Sequence, residues 1–197
     1  LGGSIILNNT EQYSKKTKIT IKQTAGSFNN YSSALKIKLG NKKWFYETQL
    51  FGKIDRNNFE YKNISSIDTP IEKLDRAENK QFGLQQAVYH KLKNGSVGGR
   101  IWYFNSEREL PGTITQTNFN EESQQDESIR ALIELKGLKN NLQYHISTAL
   151  VSDQLIYKNK QANINSKSNS QLFDNNINTN IYLSGNWKIR IILQISG

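Results

Sequence analysis

Ile129-Arg130-Ala131-Leu132-Ile133-Glu134-Leu135-Lys136-Gly137 sets Ile129, Ala131, Ile133 and Leu135 against Arg130, Glu134 and Lys136. Lys139-Asn140-Asn141 follows, and then Leu142 to Tyr157, in which Tyr144, Ile146, Thr148 and Leu150 share one register. Successive side chains of a strand point to opposite faces, so a period of two marks a strand whose faces meet unlike surroundings. Asn tolerates the backbone of a tight turn. The stretch therefore predicts an antiparallel hairpin, apolar on one face and charged on the other.

The same period extends outward in both directions. Thr17 to Phe28 puts Ile19, Ile21 and Ala25 against Thr20, Lys22 and Thr24, and after Asn29-Asn30 the run Ser33 to Leu39 sets Leu35, Ile37 and Leu39 against Lys36 and Lys38. Past Gly40-Asn41-Lys42, Lys43 to Asp55 alternates Trp44, Tyr46, Leu50 and Ile54 with Phe45, Glu47, Gln49 and Lys53. Phe82 to Leu92 is a further strand. Lys93-Asn94-Gly95-Ser96 carries the Asn-Gly hairpin signal, and Val97 to Asn105 holds Gly99, Ile101 and Tyr103 opposite Arg100, Trp102 and Phe104. Thr179 to Ser184 and Lys188 to Ser196, joined at Gly185-Asn186-Trp187, complete about nine strands. Three polar stretches, Arg56 to Gln81, Ser106 to Ser128 and Lys158 to Asn178, read as long loops.

Short and long connections thus alternate after the first hairpin. That is the pattern of an outer-membrane barrel, with brief turns on one side and long external loops on the other. Strands of about 9 to 13 residues suit a tilted crossing of a bilayer, whereas strands of soluble sandwiches average nearer 5 or 6. The fold class expected is all-β: an antiparallel up-and-down meander, about nine strands of a larger, incomplete transmembrane β-barrel. Trp44, Phe45 and Tyr46, together with Trp187, Tyr13, Phe28 and Tyr31, cluster at strand ends and are candidates for interfacial girdles.

Composition narrows the chemistry. The longest dense apolar stretch, Ile189 to Ile195, is interrupted by Arg190 and Gln194 and falls far short of the ~20 residues of a membrane-spanning helix. The start, Leu1-Gly2-Gly3-Ser4, carries no initiator Met and no targeting leader, and the end stops inside a strand, so the chain is expected to be a piece of a longer protein. There is no Cys, which removes disulfides, thiolate metal sites and Cys nucleophiles together. The net charge of +9 does not point to nucleic acid, because the Lys residues alternate along strands and form no basic helix or stacking platform.

His90 and His145 stand far apart and make no metal-binding spacing, and neither a Gly-x-Ser-x-Gly elbow nor a phosphate-cradling glycine loop occurs. No enzyme activity and no cofactor are expected. Between Asn105 and Ser128, Glu107, Glu109, Glu121, Glu122, Asp126 and Glu127 face Arg108 alone in an otherwise basic chain. Such a segment is ordinarily a solvated loop, but Glu107, Arg108 and Glu109 are the candidates for capturing a ligand there. Lys22, Lys36 and Lys38 fall opposite apolar residues. They are expected to face the lumen, because a Lys in mid-bilayer costs roughly 2 to 4 kcal/mol.

Gly2-Gly3-Ser4-Ile5-Ile6-Leu7 resembles the Gly-Gly-small-aliphatic strand that closes the plug domain of TonB-dependent receptors, although Ile6 stands where that family often has Asn. Glu107-Arg108-Glu109-Leu110-Pro111-Gly112 is similar to the outer end of a strand in members related to cobalamin and siderophore receptors. The resemblance implies residues 1–12 as the end of the plug and 13–197 as the N-terminal part of a barrel of about 22 strands in the cell outer membrane. It also implies active import of a scarce small-molecule or metal-chelate nutrient, with outer-membrane lipid around the wall. The TonB complex would act through upstream residues, and Lys22, Lys36 and Lys38 would contact the plug. The competing expectations are a passive porin-type channel and a secreted β-rich adhesin or carbohydrate-binding module.

Overall fold

The computed structural model describes Tyr13 and residues 16–112, 121–183 and 187–197. The Gly2 to Leu7 motif, the plug segment 1–12 and the Gly185-Asn186 turn lie outside the described residues. Eleven strands follow one another without a helix among the described residues. They are β1 (Lys18–Gly26), β2 (Asn30–Gly40), β3 (Trp44–Asp55), β4 (Glu60–Lys62), β5 (Ile71–Lys73), β6 (Asn79–Leu92), β7 (Gly95–Leu110), β8 (Glu122–Lys139), β9 (Leu142–Asn159), β10 (Ile164–Tyr182) and β11 (Lys188–Ser196). Nine of them form one antiparallel meander in the order β1-β2-β3-β6-β7-β8-β9-β10-β11, and β4 pairs with β5 in a separate hairpin. The sheet is open, with β1 and β11 at its edges.

Strands touch only their hydrogen-bonded neighbours, so among the described residues no second layer covers either face. The nine alternating segments of the sequence correspond one to one with the nine strands of the sheet. Their lengths do not. β7, β8, β9 and β10 run to 16, 18, 18 and 19 residues.

The extra length comes from residues expected to be loop. Ser106 to Leu110 continues β7, Glu122 to Ser128 opens β8, and Ile164 to Asn178 belongs to β10, leaving only 160–163 as the turn after β9. The long stretch after β3 likewise holds the small β4–β5 hairpin. Apolar alternation is lost where both faces are wet, but the backbone ladder does not depend on it. Glu122 to Ser128 pairs residue for residue with Asp153 to Asn159, and Ile164 to Leu172 with Val151 to Asn159. Side chains reinforce the pairing: Gln154 Nε2 donates to Asn169 Oδ1 at 3.0 Å, and Asn159 Nδ2 donates to Glu122 Oε1 at 2.7 Å.

At one end of the sheet the strands are joined by short turns at 41–43, 93–94 and 140–141, and by the five residues 183–187, of which only Leu183 and Trp187 are described. The other end carries 27–29, 56–78, 111–121 and 160–163, two of them long. The strict short-long alternation of the sequence reading therefore reduces to one end whose connections are all short and one end with two long ones. Asn29, Asn140 and Asn163 take positive φ (59°, 51° and 53°), a conformation Asn adopts at lower cost than other side chains.

Candidate functional site on the polar face

Directly paired residues of adjacent strands share a face, so the register sorts the whole sheet. One row runs Lys38, Glu47, Ala87, Arg100, Leu132, Ala149 and Asp174. The adjacent row, on the opposite face, runs Ile37, Thr48, Gln86, Ile101, Ala131, Leu150 and Phe173. The first face holds the charges. The second holds the Ile and Leu sets, and two of its polar pairs satisfy themselves across strands: Thr48 Oγ1 donates to Gln86 Oε1 at 3.2 Å and Thr148 Oγ1 to Asn175 Oδ1 at 2.8 Å.

Two carboxylates are far more buried than the aliphatic residues of the other face. Ile21, Ile133 and Ile195 on the apolar face are 70%, 66% and 72% exposed, whereas Glu47 and Glu134 on the polar face are each 5% exposed. The apolar face is bounded by aromatics. Trp44 and Tyr46 stack at 5.8 Å near the short-turn end, with Trp44 4.3 Å from the His90 ring. Phe82 and Tyr103 lie 6.3 Å apart toward the other end. Phe45, grouped by sequence with Trp44 and Tyr46 as girdle, instead turns to the polar face and is buried. It is the odd residue of the alternation, so its neighbours' register excludes it from their face.

Two carboxylates organise the polar face. Glu47 on β3 receives Lys36 at 3.4 Å and Lys38 at 3.1 Å, both from β2, and Gln49 Nε2 donates to it at 2.6 Å. Glu134 on β8 gathers groups from four strands. The Tyr89 hydroxyl of β6 donates to its Oε1 at 2.5 Å, and Arg100 Nη2 of β7 lies 3.6 Å from the same oxygen. Lys136 Nζ and His145 Nε2 approach Oε2 at 2.8 and 3.0 Å. Arg100 Nε also donates to the Tyr89 oxygen at 2.9 Å. A carboxylate this buried needs such compensation, since removing a charge from water is costly unless it is paired and hydrogen-bonded.

Tyr89 reaches Glu134 across Gly98, which pairs with both. A Cβ on Gly98 would stand 2.6 Å from Tyr89 Cδ1 and 2.7 Å from its Cα. The glycine is therefore what lets the ring lie across β7.

Lys22, Lys36 and Lys38 all fall on the polar face by register. Lys36 and Lys38 hold Glu47 of the neighbouring strand; Lys22 stands exposed on β1. Glu107, Arg108 and Glu109 are not in a loop but in the outer part of β7, so their faces alternate. Arg108 shares the polar face and pairs with Asp126 at 2.7 Å. Glu107 and Glu109 share the apolar face's register, beyond its aromatic rim. There they line a recess of about 300 Å³ with Lys80, Ser123, Gln125 and Lys158. Glu109 Oε2 accepts the backbone N–H of Glu78 at 3.3 Å.

Sequence reading missed the cluster of Tyr89, Arg100, Lys136 and His145 around Glu134, and the separate one around Glu47. The one available signal was the Gly98-Gly99 pair inside a strand, which marks a close approach. Among the described residues no group of three or more His, Asp or Glu is placed to hold a metal ion, and no helix is long and apolar enough to cross a membrane. No family model matches the chain, and no curated protein matches it.

Proposed function

We propose that this sheet is part of the wall of a transmembrane β-barrel in the cell outer membrane, and that the barrel is an active transport receptor of the TonB-dependent kind. The observation that carries the barrel reading is the inverted burial: aliphatic side chains of the apolar face such as Ile21, Ile133 and Ile195 are exposed, whereas the carboxylates Glu47, Asp55 and Glu134 of the polar face are buried. In water an uncovered apolar face of this breadth is an association hazard. In lipid it is the outer surface a barrel requires. A sandwich would pack these Ile and Leu sets between two sheets, and among the described residues no other sheet packs against this one.

The dimensions agree. From Tyr46 to Ile54 on β3, Phe82 to His90 on β6 and Phe173 to Ile181 on β10, the apolar register spans eight residues, about 27 Å at ~3.4 Å per residue. Barrel strands tilt, which shortens this toward the roughly 25 Å apolar band of such proteins or somewhat below it. The uniformly short turns would lie on the periplasmic side, and the long connections and the wet ends of β7 to β10 outside the cell.

Active import, as against passive flow, is supported by the Gly2-Gly3-Ser4-Ile5-Ile6-Leu7 resemblance to the end of a plug and by the place of Tyr13. This residue lies just upstream of β1 and packs on the polar face at the short-turn end, where a chain leaving a plug would meet the wall. The ligand class follows from the same resemblance: a siderophore, cobalamin or similar scarce nutrient, with TonB supplying energy through upstream residues.

Deleting the gene should abolish uptake of one labelled metal chelate or cobalamin at nanomolar supply, and uptake should vanish in wild-type cells when the proton gradient is collapsed. Uptake that survives loss of the gradient would leave a passive channel. Extraction of the protein into buffer without detergent would end the membrane reading altogether.

A further inference from the structure

The polar face contains one apolar island. Phe45 on β3, with Ala87 and Tyr89 on β6, are the only hydrophobic residues that are buried among those described, and Tyr89 is 1% exposed. A single uncovered sheet cannot by itself bury a tyrosine so completely. The cover is formed by groups arching over it: the Arg100 guanidinium 5.4 Å from the Tyr89 ring centre, Lys38 Nζ 6.0 Å from that of Phe45, and Tyr13, which packs on the cluster from outside the sheet. Lys91 Nζ in turn lies 5.8 Å from the centre of the Tyr13 ring.

We propose that this island is an intramolecular docking site for the segment that leads into β1, with Tyr13 as the anchoring residue. Chain geometry makes the contact informative. Tyr13 and Lys18, the first residue of β1, are five residues apart, at most ~18 Å of extended chain. The island sits on β3 and β6, with β2 between β1 and β3. Tyr13 therefore meets the polar face two strands in from the edge that β1 occupies. Apolar contact holds the ring, and the flanking cations of Lys91, Lys38 and Arg100 favour aromatic faces.

Functionally, the anchor divides the chain. Force or disorder applied upstream of Tyr13 would be taken up at the island and would not peel β1, the sheet's edge strand, away from β2. The geometry stands without the transport reading, so the two can fail separately.

Trypsin tests it, because Lys15 and Lys16 lie between the anchor and β1. In the detergent-folded protein, cleavage after these residues should be slow in the wild type. It should become about tenfold faster in Tyr13→Ala, as proteolysis tracks the population of the undocked form. Tyr13→Trp, which keeps a large ring, should remain slow. Each sample is first run unheated on a gel, where a folded barrel migrates anomalously, so an anomalous band in Tyr13→Ala separates undocking from unfolding. Wild-type cleavage as fast as in Tyr13→Ala, with the folded band present in both, would overturn the proposal, as would fast cleavage in Tyr13→Trp. Should Tyr13→Ala lose the folded band, Ala87→Glu, which places a charge on the island, is the second variant, and unchanged protection there would also overturn it.

Discussion

The two ends of the long strands are built on different terms. Toward the short turns, β8 carries Ala131, Ile133 and Leu135 on one face and Leu132, Glu134 and Lys136 on the other. Toward the far end the same strand reads Glu122-Ser123-Gln124-Gln125-Asp126-Glu127-Ser128, polar on both faces, yet its ladder to β9 runs on without a break. The difference separates two things that a strand is often assumed to need together. Backbone pairing satisfies N–H and C=O groups wherever a partner strand lies alongside. Alternation is needed only where the faces meet different media. The lower half is therefore constrained on each face separately, and the upper half is constrained chiefly by pairing.

The largest test of that contrast moves one charge between the two halves. Ile133→Lys should destabilise the lipid-folded protein by about 2 to 4 kcal/mol, measured by denaturant titration in vesicles. Gln125→Lys, in the same register but beyond the aromatic rim, should change stability by less than about 0.5 kcal/mol. Equal losses would dissolve the distinction between the halves.

Next in size is Gly98→Ala. The added Cβ overlaps the Tyr89 backbone and ring, so the ring must leave its path to Glu134, at a cost of about 1 to 3 kcal/mol in the same titration. Tyr89→Phe sharpens the cause: it keeps the ring over Gly98 and removes only the hydroxyl that donates to Glu134. Its expected loss is about 1 kcal/mol, since Arg100, Lys136 and His145 still surround the carboxylate. A Tyr89→Phe loss as large as that of Gly98→Ala would mean that the hydrogen bond, and not the packing across the glycine, fixes this part of the wall.

The smallest effect belongs to the outer end. Lys160 lies 2.5 Å from Glu121, and this hydrogen bond holds the exposed Glu121 carboxyl below its ordinary range. A carboxyl lowered on folding lends stability that is present above its unfolded value and is lost as pH falls through the lowered one. An NMR titration of Glu121 should show the downward shift, and both Lys160→Gln and high salt should erase it. A shift that survives Lys160→Gln would assign it to another group.

Much of the two-faced part of the sheet was legible in advance because its alternation of apolar and polar residues follows the period of a strand. Ile129 to Leu135, Tyr144 to Leu150 and the Ile19, Leu35 and Tyr46 sets all fall on the face their spacing assigned. The wet strand ends were not legible. Asn, Ser, Gln and Glu favour loops when judged locally, and only a partner strand at hydrogen-bonding distance makes Ile164 to Asn178 extended. Glu107 and Glu109 were grouped with Arg108 as one loop motif, whereas a strand sends them to the opposite face.

The amino-acid sequence alone determined the number of sheet strands, their antiparallel order and which side chains share a face, because these depend on local period and turn chemistry. Tertiary structure decided where the strands end and that Glu47 and Glu134 are buried while Ile133 is exposed. It also decided that Tyr89, Arg100, Lys136 and His145 converge on Glu134. These depend on contacts between residues as many as 45 positions apart, and cross-strand register brings such residues together without leaving a mark in any one segment.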